Sequence, residues 1–498
     1  MDVDKPFAAQ FRSTLLELPI DNIFQILQFA DPADIFVFGQ TCKKFFEVTA
    51  TRSVWMNALR RVCEINGLFV PSFPYDDMSF SELQRAATFG AAPRFTRRLY
   101  KQAANNAVST VPLAPLSRRI FRPRVTKFSS AATEEPGLLK TVNLVPGGRF
   151  LIITTSTLMH LWDLGYDATK LIKPHALASI ALPKPDSEPT ISILPTEDGT
   201  GIEVMVVMFK IGETTTIANY HIFPLDTHPE FLPVSEPHTA NMLMRGFLAK
   251  PGCGVVHDGR EIFVWNTARN LWASWKADKI PDKVFAYRDL IVGVDTKTIT
   301  LWEMPTPHYE TAAASGLEDY LPLLTLSHPF SGGQELDIAL TGDWFCSTDT
   351  KPSFLSLIGW KGSRRYIARY MMHSFDRRAN HNLPGSIPIL MDQISMTGAG
   401  DHLDYCTEIQ PCGGDALALW TSQESPAVIE VSISPLPTEK KNEGPPIKTV
   451  RLFESRGDRP DDFEFSICPI TGRLCTMTGQ GNEIIVLDFL IPSWKDEY

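Results

Sequence analysis

No stretch of the 498-residue chain approaches 18 consecutive apolar residues, so no membrane-spanning helix is expected. The opening residues, MDVDKPFAAQ, lack a basic segment followed by an apolar run, and no secretory signal is expected. No Asn-x-Ser/Thr sequon occurs, and the 8 cysteines, spread from Cys42 to Cys475, contain no Cys-x-x-Cys pair. They read as reduced, mostly buried thiols of an intracellular protein, cytoplasmic or nuclear. Phosphate loops, G-x-G-x-x-G, H-E-x-x-H and G-x-S-x-G are also missing. The 11 histidines show no pair at metal-ligand spacing. A formal charge of -10 argues against a general nucleic-acid binder.

Proline is in excess, 38 residues against a usual share of about 5%. It is kept out of helix interiors and central strands. The chain must therefore consist of many short elements joined by turns, and long helical repeats are excluded. At 44% apolar and 21% charged, the composition is that of a globular protein of two or three domains.

The first hundred residues carry helical periodicity. Pro19 suits a first helical position and Asp21 complements the helix dipole. Ile20, Ile23, Phe24, Leu27 and Ala30 fall on one face. Asp31-Pro32-Ala33-Asp34 restarts a helix, with Ile35 and Phe38 continuing the apolar side. Thr41-Cys42-Lys43-Lys44-Phe45-Phe46 reads as a third helix, and Ser53 opens a fourth that carries Trp55 and stops at Gly67. Ser79-x-x-Glu82 is a capping box for another, and Pro93 opens the last. One reading is a helical domain with its own core. The first three helices, however, hold more apolar surface than about 30 residues can bury alone, which marks a partner-binding face.

The order Leu18-Pro19-x-Asp21, Ile26-Leu27, Asp31-Pro32-x-Asp34-Ile35, Thr41-Cys42-Lys43-x-Phe45-Phe46 and Trp55 resembles the F-box. Asp21 stands where Glu is usual, and Ala30 where a Leu often closes the first helix. The resemblance implies docking on the Skp-type adaptor of a cullin-based ubiquitin ligase. The implied adaptor-binding residues are Leu18, Pro19, Ile23, Ile26, Leu27, Asp31, Pro32, Ile35, Phe38, Cys42, Phe46 and Trp55. The face of Ile23, Ile26, Leu27, Ile35 and Phe38 would make the contact, with Pro19 and Trp55 setting helix geometry.

From Thr141 the periodicity becomes that of short strands. Leu158-Met159-His160-Leu161-Trp162-Asp163 ends a group of three, and similar endings recur at Phe263–Asn266 and Ile299–Glu303. Weaker ones lie at His221–Phe223, Leu355–Ile358, Val428–Val431 and Ile485–Asp488. Pro469-x-x-Gly472-Arg473 parallels Pro146-Gly147-Gly148-Arg149. Recurrence near 40–45 residues with Trp-Asp endings resembles a divergent WD-repeat β-propeller of about seven blades. A pair of generic β-sandwiches is the alternative. The ring would be closed by Val125–Phe128 pairing into the last blade. The expected class is thus α then all-β. Its divisions are a tail at 1–12, an F-box at 13–60, a helical and basic linker at 61–120 and a propeller at 121–498.

Candidate chemistry is sparse. Asp401-His402-Leu403-Asp404, Asp461-Asp462-x-Glu464 and Arg456-Gly457-Asp458 read as solvated loops, and Gly398-Ala399-Gly400 and Gly479-Gln480-Gly481 as turns. No catalytic residue, cofactor or metal is expected. Arg94, Arg97, Arg98, Lys101, Arg118, Arg119, Arg122, Arg124 and Lys127 form a basic run without an acid. It reads either as a linker lying on an acidic propeller or as a contact for acidic ligase subunits, a phosphorylated substrate or nucleic acid. Arg149 and Arg473 occupy matching turns, but no arginine recurs from blade to blade. The expected function is a non-catalytic substrate-recognition subunit with an unidentified protein target. The alternatives are a scaffold that uses its F-box-like helices in another complex, and a propeller hydrolase. The latter would need a carboxylate constellation that the sequence does not display.

Overall fold

The computed structural model describes residues 14–91, 94–105, 111–123, 139–185, 187–209, 214–240, 245–258, 260–277, 281–287, 289–308, 320–330, 337–340, 353–361, 364–374, 386–395, 405–412, 415–421, 427–434, 448–455, 464–478 and 482–490. A helical segment is followed by a seven-bladed β-propeller.

The helices are α1 (Thr14–Glu17), α2 (Ile20–Phe29), α3 (Pro32–Gly39), α4 (Lys43–Thr49), α5 (Arg52–Ile65), α6 (Phe80–Ala91) and α7 (Arg94–Asn105). The Ser79 capping box forms: Ser79 N–H donates to Glu82, and Glu82 N–H to the Ser79 hydroxyl at 3.4 Å. The N-cap of helix α5 is Thr51, two residues before Ser53. It ends before Gly67, which takes the left-handed φ of 59° that a side chain would resist. The Trp55 indole is buried and donates to the Thr49 carbonyl at 2.8 Å, locking α4 to α5.

Each blade is an antiparallel sheet, and in blades 1 to 6 the strands follow chain order. Blade 1 is built from Leu139–Leu144, Phe150–Thr155, Leu158–Asp163 and Ala178–Ala181. Blades 2 to 6 begin at Glu188, Arg245, Lys283, Asp337 and Tyr405. First strands of most neighbouring blades touch, so they surround the ring's centre. Side chains stitch these strands: Ser466 Oγ accepts from Leu144 N–H at 3.1 Å, and Ser192 Oγ from Leu248 N–H at 2.9 Å. The tryptophans at the three clearest endings, Trp162, Trp265 and Trp302, are all buried between blades.

Six of the seven strand endings lie on third strands, but Leu355–Ile358 is on the second strand of blade 5, Ser353–Lys361. The third strand there is Arg364–Ser374. Second and third strands are both covered on two faces, so apolar runs do not tell them apart. The ring does close with an N-terminal strand, but that strand is Ser117–Phe121, which spans the end of the stretch assigned to the linker and the first propeller residue. It pairs antiparallel with Ile484–Asp488 and completes blade 7. Val125–Phe128 lies outside the described residues. Residues 111–116 are also held to the ring, through Leu113 N–H to the Arg451 carbonyl and Leu116 N–H to the Asp488 carbonyl, both 2.8 Å.

The helical segment and the propeller share one core. Ile23, Ile35, Trp55 and Leu83 belong to the same buried cluster as Leu151, Trp162, Cys475 and Val486. Phe69 N–H donates to the Pro146 carbonyl at 3.0 Å, and its ring meets Phe150 edge-on. Phe73 packs on Tyr166, and Phe95 of α7 on Phe489. Of these partners, Pro146 lies in the turn between the first and second strands of blade 1, Phe150 opens that second strand, and Tyr166 and Phe489 follow third strands. In an antiparallel blade these lie at the same end of the ring. The helices thus sit on one face of the propeller, over blades 6, 7 and 1.

Candidate protein-docking face and blade latch

The twelve candidate adaptor-binding residues divide by burial. Ile23, Leu27, Pro32, Ile35 and Trp55 are buried, Leu18, Phe38 and Cys42 half-buried, and Pro19, Ile26, Asp31 and Phe46 exposed. Of the five residues expected to make the contact, Ile23, Leu27 and Ile35 are 1%, 4% and 0% exposed, in the shared core, while Phe38 is half-buried and Ile26 open. Helical spacing put the buried three on one stripe correctly, but that stripe faces α5 and the ring. The apolar surface that remains open is a different set. Phe29 is 76% exposed, Phe46 63% and Val37 59%, with Ile20, Ile26 and Phe36 about half open. The signal for these in the sequence is the excess itself, since α2 and α3 carry apolar residues on more than one side.

Local chemistry holds this face in place. Phe38 stacks on Phe45 at 4.0 Å between centroids. The Lys44 ammonium donates to the Leu16 and Leu18 carbonyls, anchoring the N-terminal turn to α4. A Cβ on Gly39 would meet Thr49 Oγ1 at 2.3 Å, so glycine permits the close approach of α3 to α4.

The matching turns of blades 1 and 7 build a latch. Arg149 pairs with Asp163 at 2.9 Å and Arg473 with Asp488 at 2.5 Å, each pair tying a second strand to the end of a third. Arg473 also donates to the Gly148 and Gly165 carbonyls of blade 1, at 2.5 and 2.8 Å. Arg119, on the closing strand, reaches Asp488 at 3.1 Å and the Leu164 carbonyl at 2.7 Å. Both matching arginines are therefore structural and lie on the helix-covered face. The basic run is consumed similarly. Arg98 donates to the Phe489 and Ala114 carbonyls, and Arg122 pairs with Glu483 at 2.6 Å. Arg97, Lys101 and Arg118 are exposed, and Arg124 and Lys127 lie outside the described residues.

Among the described residues no cluster of three or more His, Cys, Asp or Glu could hold a metal ion. Asp401–Asp404, Arg456–Asp458, Asp461–Asp462 and both glycine pairs lie outside the described residues, while Glu464 is described. Burial pushes the Glu464 carboxyl above the usual range. Cys42, Cys63, Cys253, Cys412, Cys468 and Cys475 are free thiols, and burial raises Cys63, Cys412 and Cys475 to about 12. No described helix is long and apolar enough to cross a membrane.

Residues 15–61 match the F-box-like family. No curated protein matches the chain. Solved structures similar to it include the WD40 domain of SCAP from fission yeast, at 10% identity and a TM-score of 0.40, covering 71% of this chain and 84% of that one. Another is the β-propeller domain of Myceliophteria thermophila Cps50 (Swd1), at 10% identity and a TM-score of 0.43, covering 72% and 99%. Kluyvelomyces marxianus Hsv2 matches at 10% identity and a TM-score of 0.37, covering 71% and 97%. The chain thus combines an F-box-like helical region with a seven-bladed propeller, the arrangement of a protein-interaction adaptor.

Proposed function

We propose that this protein is a non-catalytic substrate receptor of an SCF-type ubiquitin ligase. The helical region binds a Skp-type adaptor and, through it, a cullin, and the propeller holds the target protein. The observation that carries this reading is the open apolar surface of Ile26, Phe29, Val37 and Phe46 on helices whose other side is sealed against the ring. A surface of this kind on a folded protein marks a partner site. The mechanism is positional: one chain grips the ligase machinery and the target, which raises the effective concentration of target lysines near the conjugating enzyme. The helices occupy the ring face of first-to-second turns, so the opposite face is the one available to a target. A shared core makes the linkage stiff, which favours a fixed target-to-ligase distance over a flexible tether.

The test is capture on immobilised Skp-type adaptor, comparing wild type with Phe29→Ala. Truncating a central anchor costs about 2 kcal/mol, roughly a 30-fold loss of affinity. Phe29 is exposed, so this variant keeps its fold, whereas Leu27→Ala would mix binding with core damage. Failure of the wild type to bind the adaptor would exclude the ligase reading and favour a scaffold in another complex.

A further inference from the structure

A cavity of about 50 Å³ lies where the helical segment meets the ring. Its helical wall is apolar, with Val62, Leu68, Phe73 and Ala86; the propeller contributes Tyr166 and Arg473. Asp488, behind Arg473, also reaches the lining.

Arg473 is the cation of this cavity. Two guanidinium groups, Arg119 and Arg473, share the single carboxylate of Asp488, and the three side chains are 10%, 6% and 2% exposed. Asp163 is neutralised by its own partner, Arg149. Glu82 and Asp167 also act electrostatically on Tyr166, while their hydrogen bonds go to the Ser79 N–H and to Thr169. Arg473 spends Nε on Asp488 and Nη1 on two carbonyls, which leaves Nη2 without a hydrogen-bond partner among the described residues. The Tyr166 hydroxyl lies within electrostatic reach of that guanidinium and likewise makes no hydrogen bond among the described residues.

We propose that this cavity binds a short-chain carboxylate, the carboxylate accepting from Arg473 Nη2 and the Tyr166 hydroxyl and the hydrocarbon tail lying against Val62, Leu68, Phe73 and Ala86. A carboxylate can accept a charge-assisted bond from the remaining Nη2, and the apolar wall favours a hydrocarbon tail over a fully hydrated inorganic anion. The space suits a few heavy atoms, since one water needs about 10–15 Å³ on this scale. The bound acid would touch α5, α6 and both latch blades, bridging the helical region to the ring.

Isothermal titration of the full-length protein with sodium butyrate, n-butylamine and sodium phosphate tests this. Butyrate binds with one-to-one stoichiometry and raises the melting temperature, while butylamine and phosphate do neither. Tyr166→Phe weakens butyrate binding about tenfold or more, the loss of one hydrogen bond to a charged group. Ala86→Leu, which fills the apolar end, abolishes it. Adaptor capture by both variants equals that of wild type, so the result is separate from the ligase reading. No butyrate binding, equal binding of phosphate or butylamine, or an unchanged Tyr166→Phe affinity would overturn the proposal.

Discussion

Replacing Asp488 with asparagine removes the only negative charge between two buried guanidinium groups. Asp488 gives Oδ1 to Arg473 Nε at 2.5 Å and Oδ2 to Arg119 Nη2 at 3.1 Å. Asparagine keeps the shape but offers one carbonyl oxygen. It can serve one arginine, and its amide then faces the other, donor against donor. With every partner at most 10% exposed, water substitutes poorly. Breaking a buried pair in this manner costs about 3–5 kcal/mol. That is a large share of a typical total of about 5–15 kcal/mol. Since Arg119 rides on the closing strand, the damage falls on ring closure. Urea unfolding followed by tryptophan fluorescence should show a midpoint lower by at least about 1 M, given slopes of about 1–3 kcal/mol/M. Amide exchange of Arg118, Arg119 and Ile120 should accelerate together. The control is Lys250→Gln, which breaks a largely exposed pair with Asp289. A midpoint shift no larger than that of this control would show that the latch is not a buried charge centre.

Gly147 takes a φ of +103°, and a Cβ there would meet Ser72 at 2.5 Å, so Gly147→Ala should loosen the helical segment from blade 1 by about 1–3 kcal/mol. Proteolysis rates within residues 60–90 check this, since the effect falls on docking before it falls on the blades. Burial lowers His160 to about 4 from its ordinary 6.5, so the folded state binds fewer protons than the unfolded state between those values. Stability contributed by neutral His160 is present above about 6.5 and is lost as pH falls towards 4, roughly 3 kcal/mol at most. The pH dependence of the unfolding midpoint should be shallower over that window in His160→Asn than in wild type. Iodoacetamide labelling at neutral pH, read by mass spectrometry, should modify half-buried Cys42 well before Cys63, Cys412 and Cys475, whose thiols burial keeps protonated.

Much of the architecture is written in local pattern. The Pro19 and Pro32 helix starts, the Ser79–Glu82 box and the Gly67 stop are decided by backbone groups a few residues away, so they can be read without the fold. The Trp-Asp endings work similarly, because each blade must present an apolar third strand to its neighbours. Six of seven endings were legible for that reason. Arg149 and Arg473 were visible as equivalent positions, but their partners Asp163 and Asp488 sit across a sheet, out of reach of any spacing rule.

Other features were settled only by tertiary packing. Helical periodicity marks Ile23, Leu27 and Ile35 as one stripe and leaves Phe29, Val37 and Phe46 on others, but it does not say which stripe meets the ring. That depends on α5 and on blades more than 80 residues away in the chain. The closing strand is a further case, since Ser117–Phe121 is no more strand-like locally than Val125–Phe128. It is chosen by the edge of Ile484–Asp488 and by the burial of Arg119 against Asp488. Sequence alone determined which residues are apolar, where helices begin and how often strands recur, because those follow from neighbours within a turn or a hairpin. What covers each apolar face and which charges end up buried together was decided by contacts between distant segments, whose free energy exists only once the ring has closed.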